Sequence, residues 1–195
     1  MNFELNEAIE ILERTPKTLE GLLSGLSAGW LECDEGEGTW NADGVIRHLI
    51  EGEKNNWVPR LKMILHEGES RVFPVFDRFS HLEAGTPRSL EEKLAEFASL
   101  RSASVAELKR LIAEQGHSLD STGLHPAFGK VSASELISTW VVHDLTHISQ
   151  IVRVLSNRYR DDVGPWAEYL GGIKEVLSCK TAMGKLEEWT WGQSG

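Results

Sequence analysis

The sequence has only two cysteines, Cys33 and Cys179, among its 195 residues. Two cysteines cannot form the disulfide framework of a small secreted domain, and these two lack the close spacing of a zinc knuckle. No apolar run approaches the roughly 18–20 residues that cross a bilayer. The first residues also lack the basic start and apolar stretch of a signal peptide. We therefore expect a cytoplasmic protein that does not enter a membrane.

Basic residues are scarce as well. The 20 lysines and arginines are outnumbered by 30 aspartates and glutamates, which gives a formal net charge of −10. Binding to nucleic acid requires a basic face, and no cluster of Lys and Arg supplies one, so we expect no nucleic-acid partner. Hydrophobic residues make up 41% of the chain and charged residues 26%, which is typical of a globular domain rather than of disorder.

Apolar residues recur at three- and four-residue steps in four segments, which predicts four amphipathic helices. No sustained two-residue alternation indicates a strand. The first helix is expected over about residues 5–26, with an interruption and a restart at Thr15-Pro16 because proline suits a first helical position. The second is expected to begin after Trp40, with Asn41 as its N-cap, and to end near Gly68.

Two capping boxes mark the starts of the third and fourth helices, Ser89 with Glu92 and Ser132 with Glu135. About twenty residues separate the second and third helices, far more than antiparallel neighbours need, which predicts a crossover along the bundle. The chain is therefore expected to be all-α, a four-helix bundle with a long crossover between helices 2 and 3 and a short C-terminal helix over residues 165–170. We expect residues 1–171 to form this bundle and residues 172–195 to form a tail without an assigned role.

The fourth helix places histidines where a packed bundle would place leucine or isoleucine. Steps of three and four residues join one predicted inward face, which consists of Leu136, Trp140, His143, His147, Gln150 and Val154. Burying an imidazole without a partner costs about 1–3 kcal/mol, so these rings need partners. Because His143 and His147 are four residues apart on a helix, their nitrogens can converge on a single ion.

His48 is the best candidate for a third ligand, because it lies next to Leu49 on the inward side of the second helix. Gly52, one turn later, predicts open volume beside it. Three neutral imidazoles with one or two open coordination positions are typical of a catalytic metal site rather than a structural one. The sequence thus predicts a divalent metal site at His48, His143 and His147. The alternative, in which each ring makes an ordinary hydrogen bond, stays open at this point.

Three other kinds of metal site fit less well. The sequence from His143 to His147 superficially resembles the H-E-x-x-H zinc-protease motif, but Asp144 replaces the glutamate base. A ferritin-like di-iron site needs two Glu-x-x-His pairs, which are absent. A structural zinc site needs a fourth protein ligand, and none stands out. Gln150 and Asp144 could orient ligands, although Asp144 could equally face solvent, and His125 is a weak candidate in a loop.

With these residues in view, the chain resembles the DinB-like family of metal-binding helical bundles, which includes bacillithiol and related thiol transferases. The similarity extends over about residues 3–171. It is carried by Arg14-Thr15-Pro16, by Trp40-Asn41 leading to His48-Leu49, by the stretch from His125 to Val131, and above all by the stretch from His143 to Ile151. The resemblance implies a three-His site for nickel or zinc, with His48, His143 and His147 as ligands, and a homodimer.

The resemblance does not fix the reaction, since related proteins include thiol S-transferases, thiol-dependent isomerases and hydrolases. We expect a metal-dependent enzyme that activates a low-molecular-weight thiol or water toward an electrophilic small molecule, of the thiol S-transferase or hydrolase type. No general base can be assigned. The alternative hypothesis is a non-catalytic, stress-associated metal-binding or interaction protein in which the ion only braces the bundle. A third is a metal-free protein that binds an apolar ligand in its cavity.

Overall fold

The computed structural model describes residues 2–77, 88–114 and 116–170. Four long helical segments form the body of the molecule, and α1 and α3 each pack against both α5 and α6. The predicted four-helix bundle is therefore confirmed. The helices are α1 (Leu5–Leu23), the short α2 (Ala28–Leu31), α3 (Ala42–Asn55), α4 (Trp57–Lys62), α5 (Leu90–Ala113) and α6 (Ala133–Ser156).

The predicted caps are present at three helix starts. The Ser89–Glu92 and Ser132–Glu135 capping boxes both form, at the starts of α5 and α6. Asn41 accepts a hydrogen bond from the Gly44 amide at 2.9 Å at the start of α3. These side chains satisfy backbone N–H groups that have no partner within a helix.

The expected interruption of the first helix is wrong, because α1 continues through Pro16. Proline removes the N–H that would bond to the carbonyl of Leu12, one turn earlier. The Nη1 atom of Arg101, from α5, donates to that carbonyl at 3.0 Å. A side chain from another helix thus supplies the hydrogen bond that Pro16 cannot make.

The second predicted helix is broken where the sequence suggested continuity. Asn56 has φ −115° and ψ −67°, which ends α3 and begins α4. Pro59 follows three residues later and has no N–H to bond the carbonyl of Asn55, so a regular helix cannot pass this point with all its bonds. A π-helical turn (Met63–Glu67) continues α4 and ends at Gly68, whose φ of 59° favours glycine. The predicted end near Gly68 is confirmed.

A short β-hairpin precedes α6 and was not expected from the sequence. Strand β1 (Thr122–His125) pairs antiparallel with β2 (Gly129–Ser132). Four residues in each strand are too few to produce a recognisable alternation. The beginning of the crossover is attached to this hairpin, because the amide of Phe73 donates to the carbonyl of Leu124 at 2.9 Å.

The bundle interior contains two hydrophobic clusters, one around Leu12, Leu61 and Trp140 and the other around Leu19 and Ile151. After α6, a 3-10 turn spans Asn157–Tyr159, and the predicted short C-terminal helix is present as a 3-10 helix over Gly164–Tyr169. Within the described residues, no helix is both long and apolar enough to cross a membrane. Residues 78–87 of the crossover, the predicted tail and Cys179 lie outside the described residues.

Candidate metal centre

Three imidazoles from two helices meet at one point between α3 and α6. The Nε2 atom of His143 lies 3.1 Å from Nε2 of His48 and 3.1 Å from Nε2 of His147. Ligand nitrogens of all three residues lie within 4.8 Å of one another. His48 is 5% exposed, whereas His143 and His147 are half-buried. The structure thus brings together the three histidines singled out in the sequence, and solvent can reach two of them.

The spacing of these nitrogens fits a shared ion. Two nitrogens bound to one cation at about 2.0–2.1 Å are separated by about 2.8–3.4 Å for bond angles between about 90° and the tetrahedral value. The two observed separations of 3.1 Å fall within that range. Each neutral ring nitrogen carries either one proton or one lone pair, so His143 Nε2 cannot form two separate linear hydrogen bonds with its neighbours. A cation would satisfy all three lone pairs at once.

Gln150 fixes the protonation of one candidate ligand. Its Oε1 atom lies 2.8 Å from Nδ1 of His147 and accepts the proton of that nitrogen. The lone pair of His147 then resides on Nε2, which is the atom that faces the other two rings. Metal-binding histidines commonly donate their second nitrogen to an oxygen in this way. This contact is the one expected if Gln150 orients His147 as a ligand, a role that stays a prediction.

We expect Gln150→Leu to weaken divalent-metal binding by about 10- to 100-fold, because His147 loses the acceptor that orients its ring. Titration of the chelator-treated protein with nickel or zinc measures the change. Thr146→Ala is the control, since Thr146 is exposed on the same helix and its hydroxyl donates to the carbonyl of Val142 within that helix. Equal affinity in the Gln150 variant and the wild type would refute this role.

Aromatic side chains surround the three imidazoles. The Trp40 ring lies 4.9 Å from that of His48 and is stacked 6.3 Å from that of His147. Phe76 meets His48 edge-on at 6.1 Å. This apolar surrounding lowers the local dielectric constant, which strengthens electrostatic interactions within the site.

The open volume expected beside Gly52 is not there. A Cβ atom added at Gly52 would lie 3.1 Å from Nε1 of Trp57, whose ring meets that of His143 edge-on at 5.0 Å. Glycine at this position therefore allows an indole to approach α3 and to support a candidate ligand, instead of leaving space for a substrate.

The buried face of α6 is shifted slightly from the predicted stripe. Trp140 and Val154 are buried as expected, but two residues between them that were not on the predicted stripe, Asp144 and Ile151, are also fully buried, each with 0% exposure. The alternative in which Asp144 faces solvent is wrong. His143 and His147 lie at the edge of this buried face and therefore remain accessible to solvent.

Asp144 belongs to a buried ionic layer centred on Arg101 of α5, which is 1% exposed. Arg101 donates to Asp144 through Nη1 and, at 3.0 Å, through Nη2. It also donates to Oε1 of Glu53 at 2.9 Å and 2.7 Å, and the Trp140 indole donates to the same oxygen at 3.1 Å. Together with the Leu12 carbonyl, these bonds connect all four long helices between the two hydrophobic clusters.

The layer connects the two helices that carry the histidines. Glu53 lies on α3 with His48, and Asp144 directly follows His143 on α6. Burial raises the pKa of the Glu53 carboxyl above its ordinary value, while the Arg101 charge opposes that rise. Burial also disfavours the Arg101 charge, but Asp144 and Glu53 more than compensate and raise its pKa. Arg101 therefore remains charged and holds α3 and α6 at a fixed separation.

Sequence reasoning missed Arg101 and Glu53, although a signal was present. Arg101 lies on the buried face of α5, where buried residues recur every three or four positions, together with Leu94, Phe97, Leu108 and Leu111. An arginine on such a face requires a buried acidic partner. Glu53 falls one turn after Leu49 on the buried face of α3 and could have been proposed as that partner.

His125 is not part of the group of three imidazoles. It ends β1, where its Nδ1 atom accepts hydrogen bonds from the amides of Ala127 and Phe128 at 3.1 Å and 3.2 Å. Its ring stacks on that of Phe128 at 4.5 Å. Burial and the nearby Arg60 charge lower the pKa of His125, which favours the neutral ring that these bonds require. Its role in the described structure is to close the hairpin turn.

Comparison with known proteins places these features in a family. The sequence model of the DinB superfamily matches residues 11–151. The structure is similar to YfiT from Bacillus subtilis, described as a probable metal-dependent hydrolase with an unusual four-helix bundle topology. The identity is 23%, with a TM-score of 0.66, over 78% of this chain and 86% of that one.

A second similar structure is TT2238, described as a four-helix bundle protein. Its identity to this chain is 22% and its TM-score 0.49, over 75% of this chain and 97% of the other. No curated protein matches the sequence significantly. The family match covers most of the chain and includes all three histidines of the candidate centre. This protein therefore belongs to the DinB superfamily.

Proposed function

We propose that this protein is a metal-dependent enzyme acting on a small molecule, and that His48, His143 and His147 hold one divalent cation, nickel or zinc. The observation that carries the proposal is the 3.1 Å separation of His143 Nε2 from each of the other two Nε2 atoms. Within the described residues, the metal-ligand group at this point contains three imidazoles and no cysteine or carboxylate. A site with only three protein ligands leaves room for an exogenous one.

The chemistry that a divalent cation supplies in such a site is Lewis acidity, which makes water or a thiol nucleophilic near neutral pH. The residues of the chain orient and enclose the reacting groups. Gln150 keeps the His147 lone pair on Nε2, and the Arg101 layer holds α3 and α6 in position. Half-buried His143 and His147 leave an approach for the substrate.

The proposed substrates are electrophilic small molecules attacked by water or by a low-molecular-weight thiol. Trp40 and Phe76, both half-buried next to His48, offer an apolar surface to a nonpolar part of such a molecule. The description of YfiT as a probable metal-dependent hydrolase agrees with the water-dependent version of this proposal. The homodimer implied by the family resemblance stays a prediction, which sedimentation velocity can check.

The test is turnover by chelator-treated protein before and after addition of zinc or nickel. One set of reactions offers esters and amides in water, and a second offers alkyl halides and epoxides with a panel of small thiols. We expect turnover only in the metal-loaded protein, and the set in which it occurs distinguishes hydrolysis from S-transfer. A metal-loaded protein that is inactive in both sets but melts at a lower temperature after chelation would favour the bracing role instead.

A further inference from the structure

A second group of metal-binding side chains lies at the opposite end of α4 from the three imidazoles. His66 is in the π-helical turn after α4, and Glu114 and His117 follow the end of α5. One ligand atom from each of these residues lies within 4.8 Å of the others. We propose that His66, Glu114 and His117 form a second divalent-cation site that binds zinc.

The orientation of His117 is already that of a metal ligand. Its Nδ1 atom lies 2.7 Å from the carbonyl oxygen of Leu111 and donates a proton to it. The lone pair of the neutral ring is then on Nε2, the nitrogen available to a cation. A backbone carbonyl is one of the usual partners for the second nitrogen of a metal-bound histidine. The His117 side chain is only 13% exposed, so this orientation is restrained by packing.

The other two residues complete a donor set that zinc accepts. The His66 ring meets that of His117 edge-on at 4.9 Å. One oxygen of Glu114 accepts from Arg110, and the other, Oε2, lies 3.5 Å from Nδ1 of His117. Because that nitrogen already donates to the Leu111 carbonyl, binding a cation together with Nε2 requires the carboxylate to rotate around the edge of the ring. Two imidazoles and one carboxylate form a common zinc ligand set with an open fourth position. The carboxylate also supplies negative charge that the first centre lacks.

The two sites are separate. Trp57, which contacts His143, and His66 are nine positions apart on one continuous helical segment, or about 13 Å along its axis. A cation at the second site would join the end of the π-helical turn to the end of α5. Ile64 and Leu111, close to these ligands in sequence, are both buried in the same hydrophobic cluster. Zinc binding there would therefore stabilise that end of the bundle without any role for the three imidazoles.

The test is a zinc titration of the full chain, which carries no histidine tag and has been stripped of metal. Calorimetry measures the number of zinc ions bound per chain. A parallel titration with cobalt in place of zinc is monitored through the visible absorption of the bound cobalt. We expect two ions per chain in the wild type, one in His66→Gln, one in His143→Ala and none in the double variant. His66 is exposed, so its replacement leaves the fold intact. Glu67→Gln, which changes an exposed neighbour outside the group, should still bind two.

Thermal melting gives a second readout. Zinc should raise the melting temperature of His143→Ala and leave that of the double variant unchanged. One ion in the wild type that disappears in His143→Ala, or two ions retained by His66→Gln, would overturn the second site and leave the first intact. One ion that persists in His143→Ala and disappears in His66→Gln would support the second site and contradict the first.

Discussion

Replacing His143 with alanine is expected to abolish metal binding at the centre formed with His48 and His147. His143 supplies the nitrogen that lies 3.1 Å from the nitrogens of both other rings. Its loss leaves only His48 and His147 as protein ligands at this centre. We expect the affinity to fall by more than about 100-fold, since even changes to residues behind the ligands cost about 10- to 100-fold. Competition with a chromophoric chelator measures this fall.

The measurement is best made in the His66→Gln background, which removes the second proposed site. His125→Ala is the matched control, because it also deletes an imidazole but one that closes the hairpin turn through its own contacts. Metal affinity should be unchanged in that control. If His143→Ala binds metal as tightly as its parent, the three-imidazole centre is refuted, and the proposed enzymatic activity with it.

Among the single substitutions proposed for this protein, Arg101→Met should cause the largest fall in the free energy of unfolding. The side chain is 1% exposed and bonds to Glu53, to Asp144 and to the Leu12 carbonyl. Removing one partner from a buried ion pair leaves an uncompensated charge and costs about 3–5 kcal/mol of unfolding free energy. For a chain of this size, that corresponds to a fall in melting temperature of about 6–20 °C.

Two further variants isolate the cause. Arg110→Ala removes an exposed arginine from the same helix together with its ion pairs to Glu107 and Glu114, and should leave the melting temperature almost unchanged. Combining Arg101→Met with Glu53→Gln and Asp144→Asn should recover part of the loss, because no buried carboxylate is then left without its partner. A single Arg101→Met variant that melts like the wild type would show that the layer does not stabilise the bundle.

Local sequence signals were sufficient to predict most of the helices. The capping boxes at Ser89 and Ser132 gave the starts of α5 and α6 correctly, because the side chain and the backbone groups that it satisfies are neighbours in the sequence. The pairing of His143 with His147 was equally local, since both lie on one helix face. Their approach to His48 depends on the packing of α3 against α6. The sequence could therefore suggest His48 only as the most suitable third ligand.

Two of the wrong predictions involve contacts that a local sequence rule does not include. Pro16 was expected to interrupt α1, because proline cannot donate a hydrogen bond to the Leu12 carbonyl. The expectation failed because Arg101, on another helix, donates to that carbonyl instead. Gly52 was expected to leave a gap, because glycine has no side chain. The expectation failed because the helix is interrupted at Asn56, and the Trp57 ring that follows packs against Gly52. In each case a local rule was applied correctly, and a tertiary contact changed the outcome.

The most direct test of the central claim is a crystal structure of the protein as isolated, with data collected on both sides of the zinc and nickel absorption edges. We expect an anomalous peak between Nε2 of His48, His143 and His147, at about 2.0–2.1 Å from each nitrogen. Rings that point away from one another, or a metal-replete protein without density between them, would contradict it.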